Sequence, residues 1–231
     1  MPDIATQTEN APSDEGLSEL ERVVWQAWKA MELPEGYHAE IIEGAIEVSP
    51  TGRFSHGQIT NLLRDELVFF LKETDFVARN DINVVHRGSA WVPDLFIVPR
   101  DVDRYVTADG LGITAAAVRL VVEVVSPGQR SQERDRIRKK RREYARAGIP
   151  VYVIIDDHDA QGTVTVLTEP RSDKGDWVGV HQVPYGTEVT IPEGPAKGFT
   201  LDEAITGPRR AGPRRAGPRR AGPRRAGPRR A

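Results

Sequence analysis

Cysteine is absent from the 231 residues, which excludes disulfides, thiolate zinc sites and cysteine nucleophiles. No apolar run approaches the roughly 18 residues of a membrane span, so no membrane partner is expected. The opening MPDIATQTEN has neither a basic region nor an apolar core of the secretory kind, so a cytoplasmic location is the default expectation. No GxGxxG or GxxxxGK[ST] follows a strand pattern, and the usual dinucleotide and P-loop sites are not signalled. His38, His86, His158 and His181 have no metal-ligand spacing among them, so a histidine-based zinc site is not supported.

The charge is unevenly spread. The net value of −2 comes from 32 basic and 34 acidic residues, but Gly207 to Ala231 is GPRRA five times over, with ten arginines and no acid. Residues 1–206 therefore carry 22 basic and 34 acidic residues, a balance of −12. An acidic body does not read as a strong nucleic-acid binder by charge alone. Proline at every fifth position forbids a regular helix in the tail, and nothing there builds a core. Two readings of the tail stand level: a flexible basic arm that raises nonspecific nucleic-acid affinity, or a repeat expansion with no function. Residues 1–16 are polar and rich in Pro, Ser and acids, and are expected to be disordered. Residues 17–206 form one domain on this reading, with 207–231 as a disordered basic tail.

Within that domain the pattern is α/β. Leu17 to Leu33 repeats apolar residues at helical spacing, with Ser18 or Ser13 as cap. YHAEIIEGAIEVSP reads as two strands about the turn pair Glu43-Gly44. A helix from about His56 to Lys72 is capped by Ser55, with Gln58 at the capping-box position. DFVARNDINVVHRGSAWVPDLFIV reads as a hairpin turning at Arg87-Gly88-Ser89. RLVVEVVSP is a nearly continuous β-branched run ended by Pro127, the signature of a central strand. A basic helix, about Gln132 to Ala147, links it to a second central strand, VYVIIDD, by a crossover long enough for parallel pairing. Edge strands follow around Thr163–Leu167 and Trp177–Val183. The sum is a mixed β-sheet flanked by helices.

Two carboxylates interrupt these apolar strands: Asp94 in WVPDLFIV and Glu123 in LVVEVV. A buried carboxylate costs several kcal/mol unless it is paired, hydrogen-bonded or bound to a metal. Glu123 is thus a structural salt bridge to the basic helix, a metal or catalytic ligand, or exposed on an uncovered sheet face. Pro93 lacks a ladder donor and implies a strand break or bulge, where side chains are often re-aimed at a site. Hard cations such as Mg²⁺ take one or two carboxylates plus water and phosphate. Glu40 is the likelier-inward member of the Glu40/Glu43 pair; Glu43 reads as a turn residue and Glu47 as exposed alternation. His56, at a helix start, is placed to bond a carboxylate or a phosphate, or simply to cap.

RSQERDRIRKKRREYARAG crowds basic residues into about four turns. Lys140 lies three residues after Ile137 and four before Tyr144, on their shared inward side. Lys139 is rotated about 100° away. Lys140 is therefore the preferred catalytic lysine and Lys139 the second, with outward arginines free to line a phosphate backbone. The competing reading is a solvated helix paired with Glu133, Asp135 and Glu143, with Tyr144 a core aromatic whose hydroxyl is wet.

In order and spacing, GYHAEIIEGAIEVSP, His56, WVPDLFIV, LVVEVVSPG and DRIRKKRREYARAGIPVYVIID resemble the Uma2 family of proposed restriction endonucleases, which look like PD-(D/E)xK nucleases. The resemblance covers about residues 35–160, with the strands to about 205 compatible. It implies a restriction-endonuclease-like fold, Asp94 as the Asp of the PD element, Glu123 as the following acid, Glu40 as the early Glu and His56 as the following His. Val125 stands where the usual pattern has Lys, and the family takes its lysine from the next helix. The family spacing there is Asp, Lys four later, Tyr four after that. Asp135 to Lys139 is four and Lys140 to Tyr144 is four, so each lysine satisfies one interval. The implied function is Mg²⁺- or Mn²⁺-dependent hydrolysis of DNA, with metal on Asp94, Glu123 and Glu40. RNA or damaged DNA as substrate, a catalytically silent nucleic-acid-binding module, and a structural or protein-interaction domain remain alternatives. A homodimer is compatible with the sequence but not indicated by it.

Overall fold

In the computed structural model of the chain the described residues are 16–125, 130–157 and 162–208. Most of the N-terminal and tail segments expected to be disordered, the Pro127 stop and His158 lie outside them.

Helix α1 (Glu19–Lys29) starts at Ser18, whose side chain and Glu21 form a reciprocal capping box. Strands β1 (Tyr37–Ile42) and β2 (Ala45–Pro50) pair about Glu43 and Gly44, both at positive φ, as a two-residue hairpin turn requires. Helix α2 spans Phe54–Phe70. Its N-cap is Arg53, two residues earlier than the Ser55 cap its sequence suggests, and no side chain caps it. Ser55 lies inside the first turn, so the expected capping box with Gln58 does not form.

The expected hairpin around Arg87-Gly88 does form, but it bends between two sheets. Its inner halves, β4 (Asn83–His86) and β5 (Ser89–Trp91), pair with each other in one sheet. Its outer halves, β3 (Phe76–Arg79) and β6 (Leu95–Pro99), pair in another. The breaks fall at Asn80-Asp81-Ile82 and Val92-Pro93-Asp94. Proline removes a ladder bond at the second break, as its missing N–H demands.

After β7 (Gly112–Thr114), strand β8 (Leu120–Val125) is buried along its whole length. Helix α3 (Arg130–Arg146) returns the chain to β9 (Val151–Asp156), which pairs parallel with β8. Strands β10 (Thr163–Arg171) and β11 (Asp176–Pro184) follow, then β12 (Val189–Thr190), β13 (Thr200–Leu201) and the short α4 (Glu203–Thr206). Among the described residues the sheets run β2-β1-β5-β4-β7 and β11-β10-β9-β8-β6-β3, with β12-β13 apart. The single mixed sheet of the sequence reading is thus two principal sheets, and β10 is an interior strand rather than an edge. Its buried run Val164 to Leu167 explains why, since both neighbours cover it.

The α/β fold class holds, with the sheets layered. Helix α2 lays Ile59, Leu63 and Leu67 on one face of the six-stranded sheet, against Leu95, Val122 and Val153. Tyr144 and Ala145 of α3 fill the opposite side together with Phe96, Val121 and Tyr152 of that sheet and Ile42 and Trp91 of the five-stranded one. Helix α1 covers the remaining face of the five-stranded sheet through Trp25, Val24 and Trp28. Helix α3 therefore lies where both sheets meet, and successive residues of β8 face α2 and α3 in turn. Leu63→Ala, at a position 1% exposed, is expected to destabilise the fold by about 2–5 kcal/mol in urea unfolding.

Candidate active site

The strand break at Pro93 frees the backbone groups of Val92, and site side chains take them. Val92 N–H donates to Glu40 Oε1 at 2.7 Å, and Val92 C=O accepts from Lys140 Nζ at 3.4 Å. One residue beyond the proline, Asp94 accepts the amide of Val124 on Oδ2 at 2.6 Å. That amide belongs to the residue after Glu123, so the two acids sit side by side, Asp94 just before β6 and Glu123 within the neighbouring β8.

Glu123 shares a strand face with Val121 and Val125, the face that α3 covers. Lys140 Nζ reaches it, 2.9 Å from Glu123 Oε1 and 2.8 Å from Glu40 Oε1. An ammonium has three donors, and here Glu123, Glu40 and Val92 C=O take them. The same Glu123 Oε1 accepts the Tyr144 hydroxyl at 2.5 Å. Tyr144 is fully buried, edge-on to Trp91 and Tyr152, so its hydroxyl is dry rather than wet. On the other side of the pair, His56 Nε2 stands 3.0 Å from Asp94 Oδ1 and must donate if that carboxylate is ionised.

Five of the six sequence candidates thus converge: Asp94, Glu123, Lys140, Glu40 and His56. Lys139 does not join them. It bonds Glu47 Oε1 at 2.7 Å, at the edge of the site. Glu40 and Glu47 are cross-strand partners in the β1–β2 register, and like charges directly opposite are unfavourable. The two adjacent lysines resolve this, Lys140 beneath Glu40 and Lys139 at Glu47. Glu47 is therefore an ion-pair partner and not idle surface. The turn residue Glu43 likewise holds Arg142 at 2.7 Å and Arg146 at 3.3 Å, and Glu143 accepts from Ser89 at 2.6 Å. These contacts fasten α3 to the five-stranded sheet and occupy basic residues that the sequence offered to a phosphate backbone.

The sequence reading also passed over Gly52. A Cβ there would come within 2.5 Å of the His56 ring, so only glycine lets the ring approach Asp94. The signal was a Gly four residues before a candidate His, too weak to read without coordinates. His38, bonded to Ser49 at 3.0 Å, lies nearby as well, and burial depresses its basicity.

Burial dominates the electrostatics. It pushes the Glu123 carboxyl up to about 7; Lys140 opposes this, Asp94 and Glu40 add to it, and the Tyr144 hydroxyl lowers it. Burial acts the same way on Asp94, but His56, Lys140 and the Val124 amide outweigh it and hold that carboxyl below its ordinary value. Burial disfavours the charge on Lys140 and on His56, yet the neighbouring carboxylates prevail and both are raised. The cluster therefore sets an ionised Asp94 beside a Glu123 that exchanges its proton close to neutral pH. Glu40 Oε2 is buried with no hydrogen-bond partner, 3.9 Å from Arg136 Nη1.

These donors bear on a cation. Among the described residues no three His, Asp or Glu side chains are grouped to hold a metal ion. A hard divalent ion needs only one or two carboxylates when water and phosphate complete its shell. Asp94 and Glu123 could supply that pair, and Glu40 Oε2, without a hydrogen bond and 3.9 Å from Arg136 Nη1, is a further oxygen. The donor set fits Mg²⁺ or Mn²⁺.

The family model described as "Uma2: Putative restriction endonuclease" matches residues 25–204. The chain belongs to the Uma2 family. Membership supports nuclease function in general and a nucleic-acid substrate. The chain is also similar to a solved structure from Anabaena variabilis ATCC 29413 described as "a putative nuclease belonging to DUF820". The TM-score is 0.61 at 17% identity, over 79% of this chain and 96% of that one, a likeness that shows the fold alone. No curated protein matches. No described helix of this Uma2 member is long and apolar enough to cross a membrane.

Two predictions follow from the charges. Lys139→Ala removes a partly exposed pair and is expected to cost about 1 kcal/mol or less, whereas Lys140→Met breaks a buried one and is expected to cost about 3–5 kcal/mol; urea unfolding measures both. Glu123 has a folded value of about 7 against an ordinary 4.5, so the folded state holds a proton that the unfolded state has lost in that window. Stability of the metal-free protein then falls as pH rises from about 4.5 to about 7. The raised His56 acts in the same direction, since its stabilisation is lost as pH climbs through its folded value. His38 and His86, whose basicity burial lowers, act in the opposite direction. In EDTA the thermal midpoint of the unaltered chain is therefore expected to fall relative to that of Glu123→Gln as pH rises from about 4.5 to about 7, and parallel profiles contradict the assignment.

Proposed function

We propose that the protein is a divalent-metal-dependent endonuclease that hydrolyses DNA phosphodiester bonds at the Asp94–Glu123 pair. The observation that carries the reading is an acid pair on neighbouring strands, Glu123 buried and Asp94 partly exposed, with one charged lysine, Lys140, bonded to Glu123. Asp94 and Glu123 would hold the ion, with Glu40 Oε2 the oxygen that Glu40 has left to offer. When bound, Mg²⁺ or Mn²⁺ polarises a phosphoryl oxygen and lowers the pKa of its water.

The protein's own groups divide the remaining work. His56 donates to Asp94 and fixes that carboxylate in place. Tyr144 and Lys140 both bond Glu123 Oε1, which orients Glu123 and leaves its second oxygen to the ligand. Lys140 carries the positive charge that stabilises the developing negative charge on phosphorus oxygens. Its bond to Val92 C=O is the longest of its three, at 3.4 Å, and is the one to exchange for substrate. Glu40 keeps the ammonium in position meanwhile. Lys139, committed to Glu47, has no role in the chemistry on this reading.

The commitment of Glu123 Oε1 to Lys140 and Tyr144, and of Glu40 Oε1 to Lys140, favours a second reading, a catalytically silent nucleic-acid-binding module. A cleavage assay with Mg²⁺ and Mn²⁺ on single- and double-stranded DNA separates the two. Glu123→Gln and Lys140→Met are expected to lower cleavage at least about 100-fold, as loss of an electrostatic stabiliser does, and Lys139→Ala to leave it within a few-fold. Full metal-dependent activity in Glu123→Gln would refute the site. DNA binding without cleavage by the unaltered chain would favour the silent module.

A further inference from the structure

Helix α3 brings a second basic group to the acid cluster. Arg136 lies four residues before Lys140, one turn earlier on the same side of the helix. Its side chain is 17% exposed, where those of Lys140 and Glu40 are 1%. The guanidinium therefore sits at the mouth of the cluster, close in exposure to His56 and Asp94 at 19% and 21%. Burial disfavours its charge, but Glu133, Glu40, Glu123 and Asp94 outweigh that and keep it protonated. The inner acids Glu40, Glu123 and Asp94 are thus all within its electrostatic reach.

The hydrogen bonds of Arg136 are incomplete toward the site. Nη2 donates to Glu133 Oε1 at 2.9 Å, on the outer side. Nη1 stands 3.9 Å from Glu40 Oε2, too far for a hydrogen bond. Nε is buried and has no hydrogen-bond partner among the described residues, and neither has Glu40 Oε2. A buried donor left unpaired costs about 1–3 kcal/mol, and more when it is charged, so native proteins seldom keep one without a reason. Arg142 and Arg146, by contrast, are taken up by Glu43. The acceptor that suits a charged guanidinium best is an anionic oxygen, and the planar group matches phosphate geometry in particular.

We propose that Arg136 is a catalytic residue that donates from Nε to a non-bridging oxygen of the scissile phosphate. This rests on the nuclease reading above and adds to it a second cation on the reacting group. Lys140 is held by acceptors deep in the cluster, whereas Arg136, tied at Glu133, meets the phosphate at the mouth. In the hydrolysis a water oxygen bonds to phosphorus and the bond from phosphorus to one sugar oxygen breaks. That sugar oxygen takes up the proton the water gives up. Arg136 exchanges no proton; it stabilises the charge that builds on the oxygen it holds. Glu133 is its positioning residue.

The test is steady-state cleavage of labelled DNA by the full chain in Mg²⁺, with Mn²⁺ binding measured by calorimetry on the same variants. Arg136→Ala is expected to lower kcat about 100-fold, as loss of one aligned donor does, with KM changed far less. Mn²⁺ should bind that variant as tightly or more tightly, because a positive charge has been taken from beside the acids. Arg136→Lys keeps the charge but not the planar fork, and should be nearly as slow. Added guanidinium ion should restore part of the rate of Arg136→Ala and none of that of Lys140→Met. A mere counter-charge to Glu40 and Glu133 behaves otherwise: its removal frees Glu40 for the ion and keeps or raises cleavage, or Arg136→Lys is fully active. Either result overturns the assignment and leaves the nuclease reading standing. Loss of Mn²⁺ binding together with cleavage in Arg136→Ala, without rescue by guanidinium, also overturns it. An unaltered chain that cleaves no DNA in Mg²⁺ or Mn²⁺ overturns both.

Discussion

The contact on which the site depends is that of one ammonium group with two carboxylates from different sheets. Lys140 joins Glu40 of the five-stranded sheet to Glu123 of the six-stranded one, and all three side chains are almost wholly buried. Burial of such charges is unfavourable unless each finds its partners, so the arrangement demands a close fit between α3 and both sheets. The outer pairs, Lys139 with Glu47 and Arg142 with Glu43, hold α3 against the β1–β2 hairpin and keep that fit. The inner set has little charge to spare: Lys140 meets Glu123 and Glu40, Arg136 stands 3.9 Å from Glu40, His56 serves Asp94, and burial holds Glu123 up at about 7. On the reading proposed above, a divalent cation would compete with that proton for Glu123.

The strand break is the second half of the design. Pro93 interrupts the ladder at the point where the chain passes from one sheet to the other, and the backbone groups of Val92 turn to Glu40 and Lys140. The irregularity thus supplies one hydrogen bond to the lysine and one to its partner Glu40. It also puts Asp94 at the start of β6, beside Glu123, where His56 can reach it from α2.

Much of this was legible in the sequence because it follows from local rules. A carboxylate amid β-branched residues announces Glu123, a proline within an apolar strand announces Asp94, and helical geometry places Lys140 inward with Ile137 and Tyr144. The α/β class and the longer elements were legible for the same reason, while the short β7, β12, β13 and α4 were not. The division into two sheets was not, because each arm of the β3–β6 hairpin pairs locally with the other and nothing in the strand pattern tells which sheet it joins. The partner of Glu47 was hidden because cross-strand register, not alternation, puts it beside Glu40. The dry Tyr144 hydroxyl and the glycine under His56 depend on contacts between elements distant in sequence. Helix α3 looked like a phosphate-binding surface because its acidic partners Glu43 and Glu47 lie about 90 residues or more away along the chain.

The proposal that the Asp94–Glu123 pair is a cation site has a direct thermodynamic signature. Mn²⁺ can be titrated calorimetrically into the metal-free full chain, slightly below the Glu123 value of about 7, in buffers of different ionisation enthalpy. The account predicts one site whose occupation releases a proton, with the release approaching one per ion and vanishing in Glu123→Gln. Binding without proton release, or binding unchanged in Glu123→Gln, would contradict it.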